Sequence, residues 1–149
     1  MDNRDYPAAG EALRRGLEIQ PESVYGLYDL ATLQLLEGHA AEALATSRKI
    51  EPEAFRLQGI AMAEHTLRNV KESQQALDEL MARHAQESAY QIAAVFAWRG
   101  EKDKAFEWLE RAYQQRDAWL SSVKVEPLLK SVRADPRFNA LLRKMKLPE

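Results

Sequence analysis

Three histidines, His39, His65 and His84, are the side chains of this 149-residue chain best suited to hold a metal or move a proton. A helical zinc pair needs two ligands four residues apart on one face. His65 has Asn69 at that distance, His39 has Ala43 and His84 has Ser88, so no such pair forms. Asp103, Glu107 and Glu110 share one face of a helical stretch and have the look of paired carboxylates. Catalytic carboxylates need partial burial to draw their pKa values apart, and Glu107 with Arg111 suits a solvated i,i+4 surface pair better. Ser121, Ser122 and Ser131 stand in no nucleophile-elbow context. Every glycine is isolated, so no glycine-rich loop can cradle a phosphate. The absence of cysteine removes disulfides, thiolate metal sites and a cysteine nucleophile together. The expectation is a chain that is not an enzyme, with no catalytic residue, metal or cofactor.

Two further sets invite chemistry and have a plainer reading. Trp98, Trp108 and Trp119 with Phe96 and Phe106 suggest a cofactor pocket, but at helical spacing they are expected to pack the core. Lys124, Lys130, Arg133, Arg137, Arg143, Lys144 and Lys146 make the last part basic. They lack interleaved aromatic residues and any known reader motif, so no nucleic-acid partner is expected. A net charge of −2 carries the same message for the whole chain. No apolar run approaches the roughly 20 residues that span a bilayer, and the charged opening MDNRDYPAAG does not read as a secretory signal. The expected location is cytoplasmic, with the periplasm left open.

The elements that would position any site are helices. Hydrophobic residues make up 46% of the chain and charged ones 30%, and no stretch alternates as a strand does. Punctuation by Pro21, Gly38, Pro52, Arg68-Asn69 and Gly100 divides the chain into helical stretches at about 5–19, 22–36, 40–50, 53–67, 71–84, 88–99 and 102–115. Asp5 and Asp135 are N-cap residues, and Pro7 and Pro136 fall in first turns, where a missing amide costs little. Phe138, Leu141, Leu142 and Met145 form an apolar stripe on a last helix.

These stretches recur. The turns at Gly38, Arg68 and Gly100 are 30 and 32 residues apart, and the small residues Ala9, Ala43, Ser73 and Ala105 are 34, 30 and 32 apart. A period of that size, two helices and two turns, marks an array of helix pairs. Small residues let the helices of a pair approach closely, and no pair buries its stripe without a neighbour.

In AYQIAAVFAWRGEKDKAFEWLERAYQQRD, Ile92, Ala93, Phe96, Gly100, Ala105, Leu109 and Ala112 follow the large, small, aromatic, Gly, Ala, large and Ala pattern of the tetratricopeptide repeat, which the chain resembles. The opening DYPAAGEALRRGLEIQP is similar to the second half of such a unit. The unit from Val24 has Pro52 three residues early, and the unit from Ala54 has Arg68 for the glycine, Ser73 for the alanine and Glu64 for the aromatic. The ending VKVEPLLKSVRADPRFNALLRKMKLP resembles the one that follows the last repeat in many bacterial tetratricopeptide domains of signalling and regulatory proteins. The resemblance implies an all-α, right-handed solenoid of antiparallel helix pairs as one domain over 1–149. It would have a half repeat at 5–21, repeats at about 22–52, 53–85 and 86–117, and C-terminal capping helices at 118–147.

The resemblance also implies a concave groove lined by the first helix of each pair. By register, its partner-binding positions are Tyr25, Tyr28 and Thr32, then Gln58, Met62 and His65, then Tyr90, Ala94 and Trp98. Tyr28 and Thr32 stand where the family's receptors for chaperone C-terminal tails need Lys and Asn, so that ligand is not expected. The implied function is a scaffold or interaction module, a regulatory part of a larger bacterial protein, that receives a peptide or helix of a protein partner. Alternatives are self-association through the N-terminal helix face, which lacks a preceding helix, and a small helical ligand sensor.

Overall fold

A computed structural model describes residues 5–149; residues 1–4 of the opening lie outside them. Among the described residues the regular structure is entirely helical and contains no strand. Eight α-helices follow one another: α1 (Tyr6–Ile19), α2 (Val24–Leu36), α3 (Ala40–Ser47), α4 (Glu53–Thr66), α5 (Val70–His84), α6 (Ala89–Trp98), α7 (Lys102–Gln114) and α8 (Pro136–Lys144). Two 3-10 helices, Ala118–Ser122 and Pro127–Val132, lie between α7 and α8. The chain divides into two compact units, Met1–Leu77 and Asp78–Glu149, with the division inside α5.

Helix closure repeats one piece of backbone chemistry. At the end of α2, Gly38 takes φ +83°, its amide donates to the Leu35 carbonyl, and the His39 amide donates to the Gln34 carbonyl at 2.8 Å. That pair of bonds, with a left-handed residue between, is the Schellman closure, which satisfies carbonyls that the helix leaves without partners. Arg68 (φ +66°) closes α4, Gly100 (φ +78°) closes α6, Arg116 (φ +56°) closes α7 and Lys146 (φ +58°) closes α8 with the same two bonds. Three of the five closures therefore hold an L-residue in a region where its Cβ crowds the backbone. Helix starts are less uniform. Ser23 Oγ accepts from the Gly26 amide and Asp135 accepts from the Arg137 amide, whereas Asp5 makes no side-chain cap. Asp5 itself lies at αR angles, not the extended angles a capping side chain needs.

In the first unit α1 packs on α2, α2 on α3, α3 on α4, and α2 also on α4. Leu27, Leu30, Ala31 and Gln34 of α2 and Leu57, Ala61 and Glu64 of α4 are buried, which is the stripe their helical spacing requires. Two contacts show how close the backbones come. Ser73 Oγ of α5 donates to the Ala61 carbonyl of α4 at 2.7 Å. Gly59 of α4 lies so near Ser47 of α3 that a Cβ placed on it would fall 2.6 Å from the Ser47 Cβ.

In the second unit α6 is buried on every side, Ala89 through Ala97, as an all-round apolar helix must be. It packs on α7 and on the 3-10 helix Pro127–Val132, whose Leu128, Leu129 and Val132 are buried and whose Ser131 hydroxyl donates to the Ala97 carbonyl at 2.8 Å. Ala105, Leu109 and Ala112 of α7 are fully enclosed. α8 lies against α7 with Phe138, Leu141 and Leu142 buried.

Candidate interaction face

The nine residues expected to line a groove divide by burial. Tyr25, in the first turn of α2, is 67% exposed, and Thr32, His65 and Trp98 keep part of their surface open. Tyr28, Gln58, Met62, Tyr90 and Ala94 are buried and belong to the packing. Tyr28 meets Phe55 of α4 edge to face, with ring centroids 5.6 Å apart at 78°, the arrangement that places a positive ring edge on a negative face. The Gln58 amide donates to the Tyr28 hydroxyl at 3.3 Å and lies 3.9 Å from the Met62 sulfur. Tyr90 is in the first turn of α6, and its backbone amide donates to Asp117 Oδ2, while Asp117 Oδ1 accepts from the Trp119 amide. One carboxylate thus ties the start of α6 to the start of the following 3-10 helix.

α2 presents Tyr25, Asp29 and Thr32 along one stripe, because positions i, i+4 and i+7 of a helix share a face. Asp29 is open to solvent, yet the surrounding side chains remove enough water to push its carboxyl pKa up. The sequence reading did not single out Asp29; its spacing from Tyr25 was the available signal.

Two polar residues on the inner stripes of α2 and α4, Gln34 and Glu64, are both buried and both paired. Gln34 Oε1 accepts from the Thr46 hydroxyl at 2.7 Å, and Glu64 Oε2 accepts from the Asn69 amide at 2.7 Å with Arg48 at 3.8 Å from its other oxygen. Buried polar groups persist when they are paired in this way.

The acidic face of α7 has a different use from the one its spacing suggested. Asp103 pairs with Arg137 at 2.9 Å and Glu110 with Lys144 at 2.7 Å, both cations coming from α8. Arg111 does not reach Glu107: its guanidinium stacks on the Trp108 ring, 3.9 Å from the centroid. The stack wins because a planar, weakly hydrated guanidinium gains from an aromatic face without giving up its remaining contact with water. Arg137 also covers the Phe106 ring at 4.5 Å and chelates Asp135. Hydrogen bonds from Arg137 hold the Asp135 carboxyl down at about 2, and the same contacts raise the guanidinium pKa further. Asp103, Phe106, Glu110, Arg137 and Lys144 rim a groove of about 370 Å³ between α7 and α8. Of the basic tail, Arg137, Lys144 and Arg143 (to Glu149, 2.6 Å) are in ion pairs, and Lys124 and Arg133 donate to backbone carbonyls.

No cluster of three His, Asp or Glu side chains suited to a metal occurs among the described residues. His84 Nδ1 lies 2.7 Å from a Glu87 oxygen. No helix among the described residues is long and apolar enough to cross a membrane. No family model matches the chain, and neither a curated protein nor a solved structure is significantly similar to it.

Proposed function

We propose that this chain is a non-enzymatic interaction module, an array of tetratricopeptide-like helix pairs that receives a peptide or helix of a partner protein. The observation that carries the reading is the double packing of α2. It lies against α3, its partner in a hairpin, and against α4, the first helix of the next hairpin. That is the contact pattern expected where hairpins stack in register. Identical helix closures at Gly38, Arg68 and Gly100 and the enclosed small residues Ala43, Ser73 and Ala105 support the same register. In this reading the tail, with α8 seated on α7, acts as the capping segment of the array. Taken unit by unit, the partner-contacting positions are the open ones of the groove set, Tyr25, Thr32 and His65 in the first unit and Trp98 in the second, while Tyr28, Gln58, Met62, Tyr90 and Ala94 are buried.

The test is affinity capture with the wild-type chain beside variants carrying Tyr25→Ala with His65→Ala, or Trp98→Ala, each shown to be folded by circular dichroism. Loss of the same partner from at least one folded variant is expected. Equal capture by all of them rejects the groove assignment.

A second reading, self-association, is favoured by one observation. α1 buries only Gly10, leaving Leu13 and Leu17 half covered and Ile19 83% exposed. Sedimentation across a wide concentration range decides it, since a monomer throughout removes the dimer.

A further inference from the structure

We propose that α8 is an internal ligand of α7: it fills, within the chain, a face of α7 that reads two cations, and a partner helix with basic residues seven positions apart displaces it. The inference goes beyond the interaction surface proposed above and stands without it, because it concerns only the α7–α8 contact inside the second unit.

α7 carries the same pair of side chains twice. Asp103 with Phe106 is the first and Glu110 with Tyr113 the second, each an acid followed three residues on by an aromatic, and the two pairs lie seven residues apart on one face. Each pair receives one cation of α8. Arg137 binds Asp103 at 2.9 Å and lies over the Phe106 ring at 4.5 Å. Lys144 binds Glu110 at 2.7 Å and lies over the Tyr113 ring at 5.5 Å. Both cations stand 34 residues after their acids, so α8 runs in the same direction as α7 and in step with it. A carboxylate beside an aromatic face holds a cation in two ways, by charge and by the ring quadrupole. One such contact is an ordinary surface pair; two at matched spacing choose a helix and fix its direction.

The hold of α8 can be exchanged. Both ion pairs ride on the surface, with the Arg137 and Lys144 side chains 46% and 45% exposed, and exposed pairs bind weakly and yield to salt. The groove of about 370 Å³ is lined by Phe106 and Leu109 of α7 and by Leu141 and the small, exposed Ala140 of α8, so the apolar seam is incomplete. A helix with a larger apolar residue in the place of Ala140 covers more of that lining than α8 does. Phe138, Leu141 and Leu142 supply the remaining hold, and an incoming helix with the same stripe replaces it. The tether permits release as well. The 3-10 helix Pro127–Val132 packs directly on α6 and α7, so α8 can swing out at residues 133–135 while those elements stay packed.

The experiment uses the full chain and a fluorescent capped peptide with the sequence of residues 135–149 carrying Ala140→Leu, read by anisotropy. A chain with Arg137→Gln and Lys144→Gln loosens the internal helix and leaves α7 unchanged. It should bind the peptide about tenfold more tightly than the wild type, the scale of two exposed ion pairs. A peptide that itself also carries Arg137→Gln and Lys144→Gln should bind that chain about tenfold more weakly. Both chains should keep the same circular dichroism. Equal affinity of the two chains, equal affinity of the two peptides, or no binding to the folded variant overturns the inference. Hydrogen exchange on the unsubstituted chain reads the release independently: α8 amides should exchange ahead of those of α6 and α7, and faster as salt rises. Amides of α8 that open only together with α6 and α7 overturn it too.

Discussion

Replacing Gly59 with alanine should destabilise the protein, and the sign should reverse when Ser47 becomes glycine. Gly59 lies in the interior of α4, where alanine is ordinarily better than glycine by about 1 kcal/mol. Against that gain stands the neighbouring helix. A Cβ on residue 59 would sit 2.2 Å from Ser47 Oγ and 2.6 Å from Ser47 Cβ. The hydroxyl can rotate away; the Cβ is fixed to the backbone and cannot. The helices would have to part by about 0.8 Å to restore a 3.4 Å contact, and overpacking of this kind costs about 1–3 kcal/mol. With the clash at the upper end of that range, the net loss for Gly59→Ala is about 2 kcal/mol. Urea denaturation followed by far-ultraviolet circular dichroism reads this as a midpoint lowered by about 1 M at a slope of roughly 2 kcal/mol per M. Ser47→Gly alone should cost about 1 kcal/mol for a glycine near the end of a helix, without a hydrogen-bond penalty, because the buried Ser47 hydroxyl has no partner among the described residues. In that background Gly59→Ala should stabilise by several tenths of a kcal/mol or more, up to about 1 kcal/mol. A stabilising Gly59→Ala in the wild-type chain, or equal losses in both backgrounds, would refute the close approach of α3 and α4.

The closures supply a second test: Gly38→Ala and Gly100→Ala should each cost about 1 kcal/mol, because a Cβ there meets no neighbouring atom and only the left-handed backbone resists it. Arg68→Gly should be neutral to stabilising by about 1 kcal/mol for the same reason. Thr46→Val leaves the buried Gln34 oxygen without its donor and should cost about 1–3 kcal/mol, whereas Gln34→Leu with Thr46→Val should cost less than the single change, as a double-mutant cycle will show. The Asp135 carboxyl, depressed to about 2, favours the folded state at all pH values above its ordinary unfolded range near 4, and this contribution is lost as pH falls from about 4 through 2. Acid titration of Asp135→Asn should therefore show a shallower decline in that window; an unchanged acid limb would contradict the Arg137 contacts as the cause.

Helix positions and stripes were legible in the residues because both arise from neighbours along the chain. Pro21, Gly38 and Gly100 interrupt the backbone where helices end, Pro52 stands at the start of α4 although α3 already stops at Ser47, and Leu27, Leu30, Ala31 and Gln34 share a stripe because 3.6 residues make a turn. Arg68, thirty residues after Gly38, was expected in the place of a glycine, and it takes the same left-handed closure. Gly59 carried a signal that was not used: an isolated glycine inside a helical pattern marks a close approach.

What a side chain does with its free face was decided by elements distant in sequence. Asp103 and Glu110 look like a carboxylate pair until α8, more than thirty residues on, brings Arg137 and Lys144 to them. Register assigned Tyr90 and Ala94 to an open groove, and the fold encloses both. Local periodicity therefore determined that the chain is helical, where most of the helices end and which stripes of α2, α4 and α7 turn inward. Only tertiary packing decided which remaining residues meet water, because burial is the sum of contacts from separate parts of the chain and no spacing within one helix records it.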